Sequence, residues 1–212
     1  MRIGLFGGSF NPIHFGHLRA AEEVREAMAL DLVYFIPAAQ PPHKPHDRLA
    51  PPDHRLHMVQ LATKGNRHFM VSDAEIRRGG RSFTVDTVRN FHETTRGRSE
   101  FFLLIGMDQF AELETWKNCD ELAGLCNIVV HTRYHEGHAP GDKVSLAALN
   151  RFGYVKDDDH YVHPSKHTLS FVATTFLPIS ATLIRDKLAR HLSVRYLIPA
   201  DVTDYVARHG LY

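Results

Sequence analysis

The sequence predicts an α/β fold: a mainly parallel sheet with helices on both faces, in one domain. Three observations point there. The chain has 212 residues, a length suited to one core and against a large multidomain assembly. Its 43% hydrophobic and 23% charged residues are the balance of a globular protein rather than a disordered or fibrous one. Short apolar runs alternate with amphipathic stretches of helical period, the pattern of βαβ units.

Residues 2–6 read as the first strand, followed by a Gly/Ser/Asn/Pro turn and by Leu18, Ala21, Val24, Ala27 and Met28 at helical spacing. Residues 32–36 give a buried strand ending at Pro37, and residues 38–52 are too rich in proline for either regular state. Asp53 is placed to cap a helix through Thr63, residues 69–71 form a strand, and Ser82 or Thr84 caps a helix to His92. The five apolar residues 101–105, ended by Gly106, read as a central strand buried on both faces, and residues 127–131 repeat the pattern. From 132 to 167 the chain is polar, with a short helix expected around Leu146. Residues 169–177 give the last strand. Ser180 opens a helix with Leu183, Ile184, Lys187 and Leu188 on one face, and residues 201–209 form a final helix stopped by Gly210. The expected organisation is one domain over 1–212 with a C-terminal helical portion from about 180.

Composition excludes several function classes. Lys plus Arg at 25 against Asp plus Glu at 24 gives a net charge of +1, without the basic surplus of a nucleic-acid binder, so any polyanion bound must be small and locally held. Cys119 and Cys126 are too few for a disulfide framework, and with no signal peptide before the first strand they suggest a reducing cytoplasm. No apolar stretch approaches the roughly 20 residues that span a bilayer. Of the 16 histidines, His131, His135, His138, His160, His163 and His167 fall in one polar stretch. No Cys or carboxylate recurs there at ligand spacing, so a solvated loop is expected rather than a metal centre.

The chemistry concentrates at two strand-to-helix junctions. The first, G-G-S-F-N-P-I-H-F-G-H at residues 7–17, combines glycines that let the backbone approach a phosphate with free N–H groups at a helix start. His14 and His17 are three apart, so both rings face one side if the helix begins near Ile13, over the carboxyl edge of the sheet. It is neither a G-x-G-x-x-G fingerprint nor a Walker A loop, since no Lys follows. The second, I-S-A-T-L-I-R at residues 179–185, offers Ser180 as N-cap, Thr182 in the first turn and Arg185 one turn on. Hydroxyls, helix N–H groups and a guanidinium together suit a polyphosphate.

H-F-G-H and I-S-A-T-L-I-R together resemble the nucleotidyltransferase superfamily and, within it, the bacterial nicotinate-nucleotide adenylyltransferases. G-S-F-N-P (8–12), P-P-H-K (41–44), R-S-F-T-V-D-T (81–87), G-M-D-Q-F (106–110), T-W-K (115–117) and H-G-L-Y (209–212) extend the resemblance over nearly the whole chain. It implies a Rossmann-like, doubly wound sheet and transfer of AMP from ATP to nicotinate mononucleotide, giving nicotinate adenine dinucleotide and pyrophosphate without a covalent enzyme intermediate. By the same resemblance His14 and His17 contact the triphosphate, Arg185 with Ser180 and Thr182 holds its outer phosphates, and Lys44 closes over the reacting groups. Gly7, Gly8, Phe10 and Ile179 belong to the ATP side. Gly106 and Asp108 hold adenosine, Asp108 being equally readable as a helix N-cap. On the mononucleotide side Trp116 is the aromatic platform, or alternatively a core residue. Thr84 meets the carboxylate, and Ser9, Phe10, His14, Lys44, Lys117 and Arg133 complete the contacts. Mg²⁺ is implied, carried on phosphate oxygens and water with no protein ligands. The implied partners are these two small molecules, with no nucleic acid or membrane; monomer and homo-oligomer both stay open. Two departures stand out. Ala181 replaces a second Ser, and Tyr134 follows Arg133 where relatives carry Arg-Pro-Gly, which makes Arg133 a weaker phosphate ligand than Arg185. Sister enzymes acting on nicotinamide mononucleotide or phosphopantetheine share both motifs, and a nucleotide-binding regulatory module would keep them without turnover.

Overall fold

A computed structural model describes residues 1–42, 49–133, 149, 152–158 and 160–212, with the backbone alone at 133. The N-terminal half runs β1 (Arg2–Gly8), α1 (Phe15–Ala27), β2 (Leu32–Pro37), α2 (Pro52–Thr63), β3 (Phe69–Val71), α3 (Ala74–Arg78) and α4 (Thr84–Thr95). Next come β4 (Glu100–Gly106), α5 (Met107–Ala111), a 3-10 turn at Leu113–Thr115, α6 (Cys119–Leu125) and β5 (Asn127–Arg133). The strands β6 (Val155–Asp157), β7 (His160–Val162) and β8 (Thr168–Thr174) precede α7 (Ala181–Ala189) and α8 (Ala200–His209).

The eight strands form one sheet in the order β3-β2-β1-β4-β5-β8-β7-β6. From β3 to β8 every pairing is parallel, with Ile3 opposite both Leu32 and Phe101, and Ile128 opposite both Leu103 and Leu169. The β6–β7 hairpin adds an antiparallel edge. Alternate side chains of each strand enter different cores. Ile3, Leu5, Phe101, Leu103 and Ile105 pack with Val85, Val88 and Phe91 of α4 and Leu122 of α6. Phe6, Val33, Phe102, Leu104 and Val129 pack with Val24, Met58, Ile184 and Val202 from α1, α2, α7 and α8. Burial on both faces is what an unbroken apolar run requires, and it makes the sheet doubly wound.

Several boundaries differ from expectation for identifiable reasons. Asp53 does not cap α2: Pro51 is the N-cap, Pro52 opens the helix, and Asp53 lies in the first turn, where its charge complements the helix dipole. Neither Ser82 nor Thr84 caps α4. Phe83 is its N-cap, while the Ser82 hydroxyl accepts from the Ala39 N–H at 2.9 Å. Helix α1 starts at Phe15, with His14 rather than a residue near Ile13 as its cap. Strand β8 stops at Thr174 because the next amide, Thr175 N–H, turns away to the Glu23 carboxylate at 2.6 Å. Leu183 is 38% exposed and does not join the face of Ile184. Strands β1 and β5 run two residues further than predicted, and α3, α6 and the β6–β7 hairpin are new. Gly210 does end α8 in the left-handed conformation, φ 57°. The helix expected around Leu146 lies outside the described residues. Among the described residues no helix is long and apolar enough to cross a membrane.

At the amino edge of the sheet the buried Asn127 amide joins three strands. Its Nδ2 donates to Glu100 Oε1 at 3.0 Å and to the Phe101 carbonyl at 3.2 Å, and its Oδ1 accepts from Thr168 N at 2.8 Å and Oγ1 at 3.0 Å. Asn127→Ala strands these buried groups and is expected to destabilise by about 2–3 kcal/mol. Thermal melting checks this as a fall of about 4–12 °C, with activity per folded molecule retained because the amide is remote from the cleft.

Candidate active site

The carboxyl ends of β1, β4, β5 and β8 open into a cleft of about 1480 Å³, larger than the ~300–1,000 Å³ of an ordinary ligand pocket and roomy enough for two nucleotides. It lies beside β1, where the strand order reverses, the position at which open α/β sheets bind ligands. Both motifs line it.

The first motif leaves β1 through Gly7 and Gly8 and turns at Phe10, whose φ of 44° is left-handed. The Phe10 ring points into the core, edge to face with His17 at 5.2 Å, so the Phe10 side chain braces His17. The His14 and His17 rings stack at 3.6 Å and 22°. His17 Nδ1 accepts the His14 backbone N–H at 3.2 Å, which places the proton of the neutral ring on Nε2. His14 is only 6% exposed, and its Nδ1 is buried without a hydrogen-bond partner among the described residues. Burial holds its pKa down at about 4. The glycine between the histidines sits tightly against the first of them. A Cβ on Gly16 would lie 3.0 Å from His14 Nδ1, and the carbonyl of Ile179, in the second motif, is only 3.7 Å away.

The second motif behaves as its sequence predicts. Ser180 caps α7, its Oγ accepting from Leu183 N–H at 3.1 Å. Arg185 folds back along the helix: Nη1 donates to the Asn11 carbonyl at 2.9 Å and Nη2 to Thr182 Oγ1 at 3.2 Å. Across the cleft, Gly106 is the N-cap of α5, and the exposed Asp108 sits in its first turn, which removes the N-cap reading of that residue. Trp116 is half-buried against one core and also lines the cleft, with Thr84 at the first turn of α4. Lys117 Nζ pairs with Asp86 Oδ2 at 2.9 Å and lies 4.7 Å over the Phe83 ring.

Thus Gly7, Gly8, Ser9, Phe10, His14, His17, Thr84, Gly106, Asp108, Trp116, Lys117, Ile179, Ser180, Thr182 and Arg185 share one cleft. Lys44 and the side chain of Arg133 lie outside the described residues. Sequence reasoning missed four residues. Arg55, 1% exposed, donates to the carbonyls of Ser9, Ala39 and Ala50 at 2.9, 3.1 and 2.9 Å, and burial draws its pKa down. Glu75 lines the cleft from below. Burial raises its pKa against the hydrogen bonds of Thr87 and Ser82. Asn11 links the two motifs, and His131 stands edge to face with Phe6 at 5.9 Å. Asn11 alone belongs to a quoted motif that could have flagged it.

A deep cleft with two stacked imidazoles, a capped helix start and one anchored guanidinium is equipped to bind and neutralise phosphates. These features define a nucleotidyltransferase, and the chain belongs to the cytidylyltransferase-like family, whose model matches residues 5–187. Within it the chain is a member of the nicotinate-nucleotide adenylyltransferases. It is 40% identical over its whole length to a "Probable nicotinate-nucleotide adenylyltransferase" of Geotalea uraniireducens, covering 98% of that protein, and 42% identical to one of Syntrophotalea carbinolica, covering 97%. The fold matches the Plasmodium falciparum nicotinic acid mononucleotide adenylyltransferase complexed with NaAD at a TM-score of 0.73 and 18% identity, covering 100% of this chain and 97% of that one.

Two outcomes follow from the histidine geometry. Unfolded His14 titrates near 6.5 and folded His14 near 4, so the unfolded chain binds the extra proton first. The stability due to neutral His14 is complete above pH 6.5 and is lost as the pH falls to 4, by about 3 kcal/mol. Denaturant titrations at pH 7 and pH 4.5 should show this loss in the wild type and its reduction in His14→Gln. Gly16→Ala presses a methyl group on the His14 ring, which must give by a few tenths of an ångström, and should lower kcat severalfold while the melting temperature moves by only a few degrees.

Proposed function

We propose that the chain transfers AMP from ATP to nicotinate mononucleotide, giving nicotinate adenine dinucleotide and pyrophosphate, and acts as one cytoplasmic domain over residues 1–212. The observation that carries this reading is the meeting of residues 7–17 and 179–185 in one cleft that also holds Thr84 and Trp116. The mononucleotide phosphate attacks the α-phosphorus of ATP and pyrophosphate departs from the opposite side. Such a step needs alignment and charge neutralisation more than a protein nucleophile. His17 Nε2–H donates to the phosphate on which charge accumulates, and His14 backs it. Arg185, Ser180 and Thr182 hold the outer phosphates, with Ile179 and the Gly7–Gly8 backbone along the chain. Lys44 and Arg133 add positive charge.

Gly106 and Asp108 receive adenosine, with the Asp108 carboxylate accepting from a ribose hydroxyl. Trp116 stacks on the pyridine ring and Thr84 donates to its carboxylate, with Ser9, Lys117 and the backbone of Phe10 bordering the same molecule. Mg²⁺ would be carried on the triphosphate oxygens and water, where it would supply charge neutralisation without a protein ligand. The described residues include no group of three or more His, Cys, Asp or Glu able to hold a metal ion. The relatives' names and the P. falciparum neighbour complexed with NaAD support the choice of acceptor.

Pyrophosphate release from Mg·ATP, with nicotinate mononucleotide, nicotinamide mononucleotide and phosphopantetheine as parallel acceptors, tests the assignment. At least a tenfold preference for the nicotinate compound in kcat/KM is expected. His17→Ala should cut that rate at least 100-fold, the scale of losing one preorganised donor, without a large change in melting temperature. Preference for another acceptor would remove Thr84 and Trp116 from their roles.

A further inference from the structure

The H-G-L-Y segment lies about 200 residues from the first phosphate motif in sequence, yet its tyrosine reaches the turn inside that motif. The Tyr212 hydroxyl donates to Asn11 Oδ1 at 2.6 Å, and the Ala50 N–H donates to the same oxygen at 3.0 Å. Asn11 is 2% exposed, and its backbone carbonyl accepts Arg185 Nη1 at 2.9 Å. One asparagine is therefore held through its side chain by two distant segments and holds the guanidinium through its main chain. Burial raises the Tyr212 phenol's pKa, while Arg185 and Arg55 lie near enough to oppose it.

We infer that Tyr212 is a positioning residue for phosphate binding: through Asn11 it fixes the carbonyl that presents Arg185 to the cleft. The inference rests on the reading above, in which Arg185 holds the outer phosphates. An arginine loses much rotamer freedom when a ligand orders it, and a guanidinium already ordered by a fixed acceptor loses less on binding. The Asn11 carbonyl serves only if its loop stays in place, and that loop passes through a left-handed Phe10. The phenol is not needed to dock α8, because Val202 and Val206 are buried in the core and Tyr205 OH bonds His54 Nδ1 at 2.8 Å. Loss of the hydroxyl alone should therefore act on the site rather than on the fold.

Tyr212→Phe tests this in the full chain. Its melting temperature should stay within about 2 °C of the wild type. Affinity for Mg²⁺ with α,β-methylene-ATP, a non-reacting analogue read by calorimetry, should fall three- to tenfold, and kcat should fall by a similar factor. KM for nicotinate mononucleotide should change less than twofold. In an Arg185→Gln background the same substitution should cause no further loss of analogue affinity. Unchanged affinity in Tyr212→Phe, an undiminished loss in the Arg185→Gln background, or a melting temperature lowered by more than 5 °C would each overturn the inference. If the wild type binds the analogue but releases no pyrophosphate, the proposed function fails while the binding measurements still decide the role of Tyr212. If it binds no analogue, both fail.

Discussion

Arg55 places a guanidinium where water cannot reach it, and the floor of the cleft is arranged around that charge. Its fork donates to carbonyls at the end of β1, just past β2 and just before α2, so three segments that meet nowhere else in sequence are held at a common point. Charge-assisted hydrogen bonds are the strong kind, and leaving a buried charge unpaired costs several kcal/mol. The three carbonyls are therefore confined by a penalty rather than by a weak preference. A lysine could not reproduce the arrangement, because a tetrahedral ammonium lacks the planar fork. Ser9, whose carbonyl is one of the three, leads directly into Phe10 and Asn11, so a charge in the core determines where the turn of the first motif begins.

The electrostatics above this floor follow from the same economy of charge. His14 is kept neutral by burial, Lys117 is occupied by Asp86, and Arg185 is turned onto a backbone carbonyl and a hydroxyl. Much of the attraction for an anion thus comes from oriented N–H groups and fixed dipoles. A triphosphate placed here would supply the negative charge that His14 lacks, raising its pKa and favouring the protonated ring.

Much of this was legible in the sequence, and the exceptions share a cause. The strands at 101–105 and 127–131 were readable because burial on both faces leaves an apolar run, five residues in the first and Ile128, Val129 and Val130 in the second. The two motifs were readable because glycine, proline, histidine and capping serine sit where a strand must turn into a helix. The five residues of α3 and the three of β6 are too short for a period to register. Asp53 and Ser82 misled because side chains that look like caps had other work, one in a first turn and one bonding to Ala39. Arg55, Glu75 and Tyr212 were not legible as site residues. Arg55 reaches Ser9 and Tyr212 reaches Asn11 across 46 and 201 residues, and Glu75 is tied to Thr87, 12 residues on, so none of these partners falls within a local period.

The same distance in sequence explains how the two motifs come to share a cleft. They are separated by more than 160 residues, and the parallel sheet delivers both to one edge because β1 and β8 run in the same direction and so end on the same side. Direction alone would leave them with two strands, β4 and β5, between them. The gap is closed by α1, which begins at the first motif and lies along β8, with Glu23 holding Thr175 N and Oγ1 at 2.6 Å each. Gly16 lets the start of that helix approach Ile179 without a side chain between them. Adding a methyl group at Gly16 would therefore press on the His14 ring at 3.0 Å while meeting the Ile179 carbonyl at an ordinary contact distance of 3.7 Å, so this glycine matters to the histidine pair more than to the junction itself.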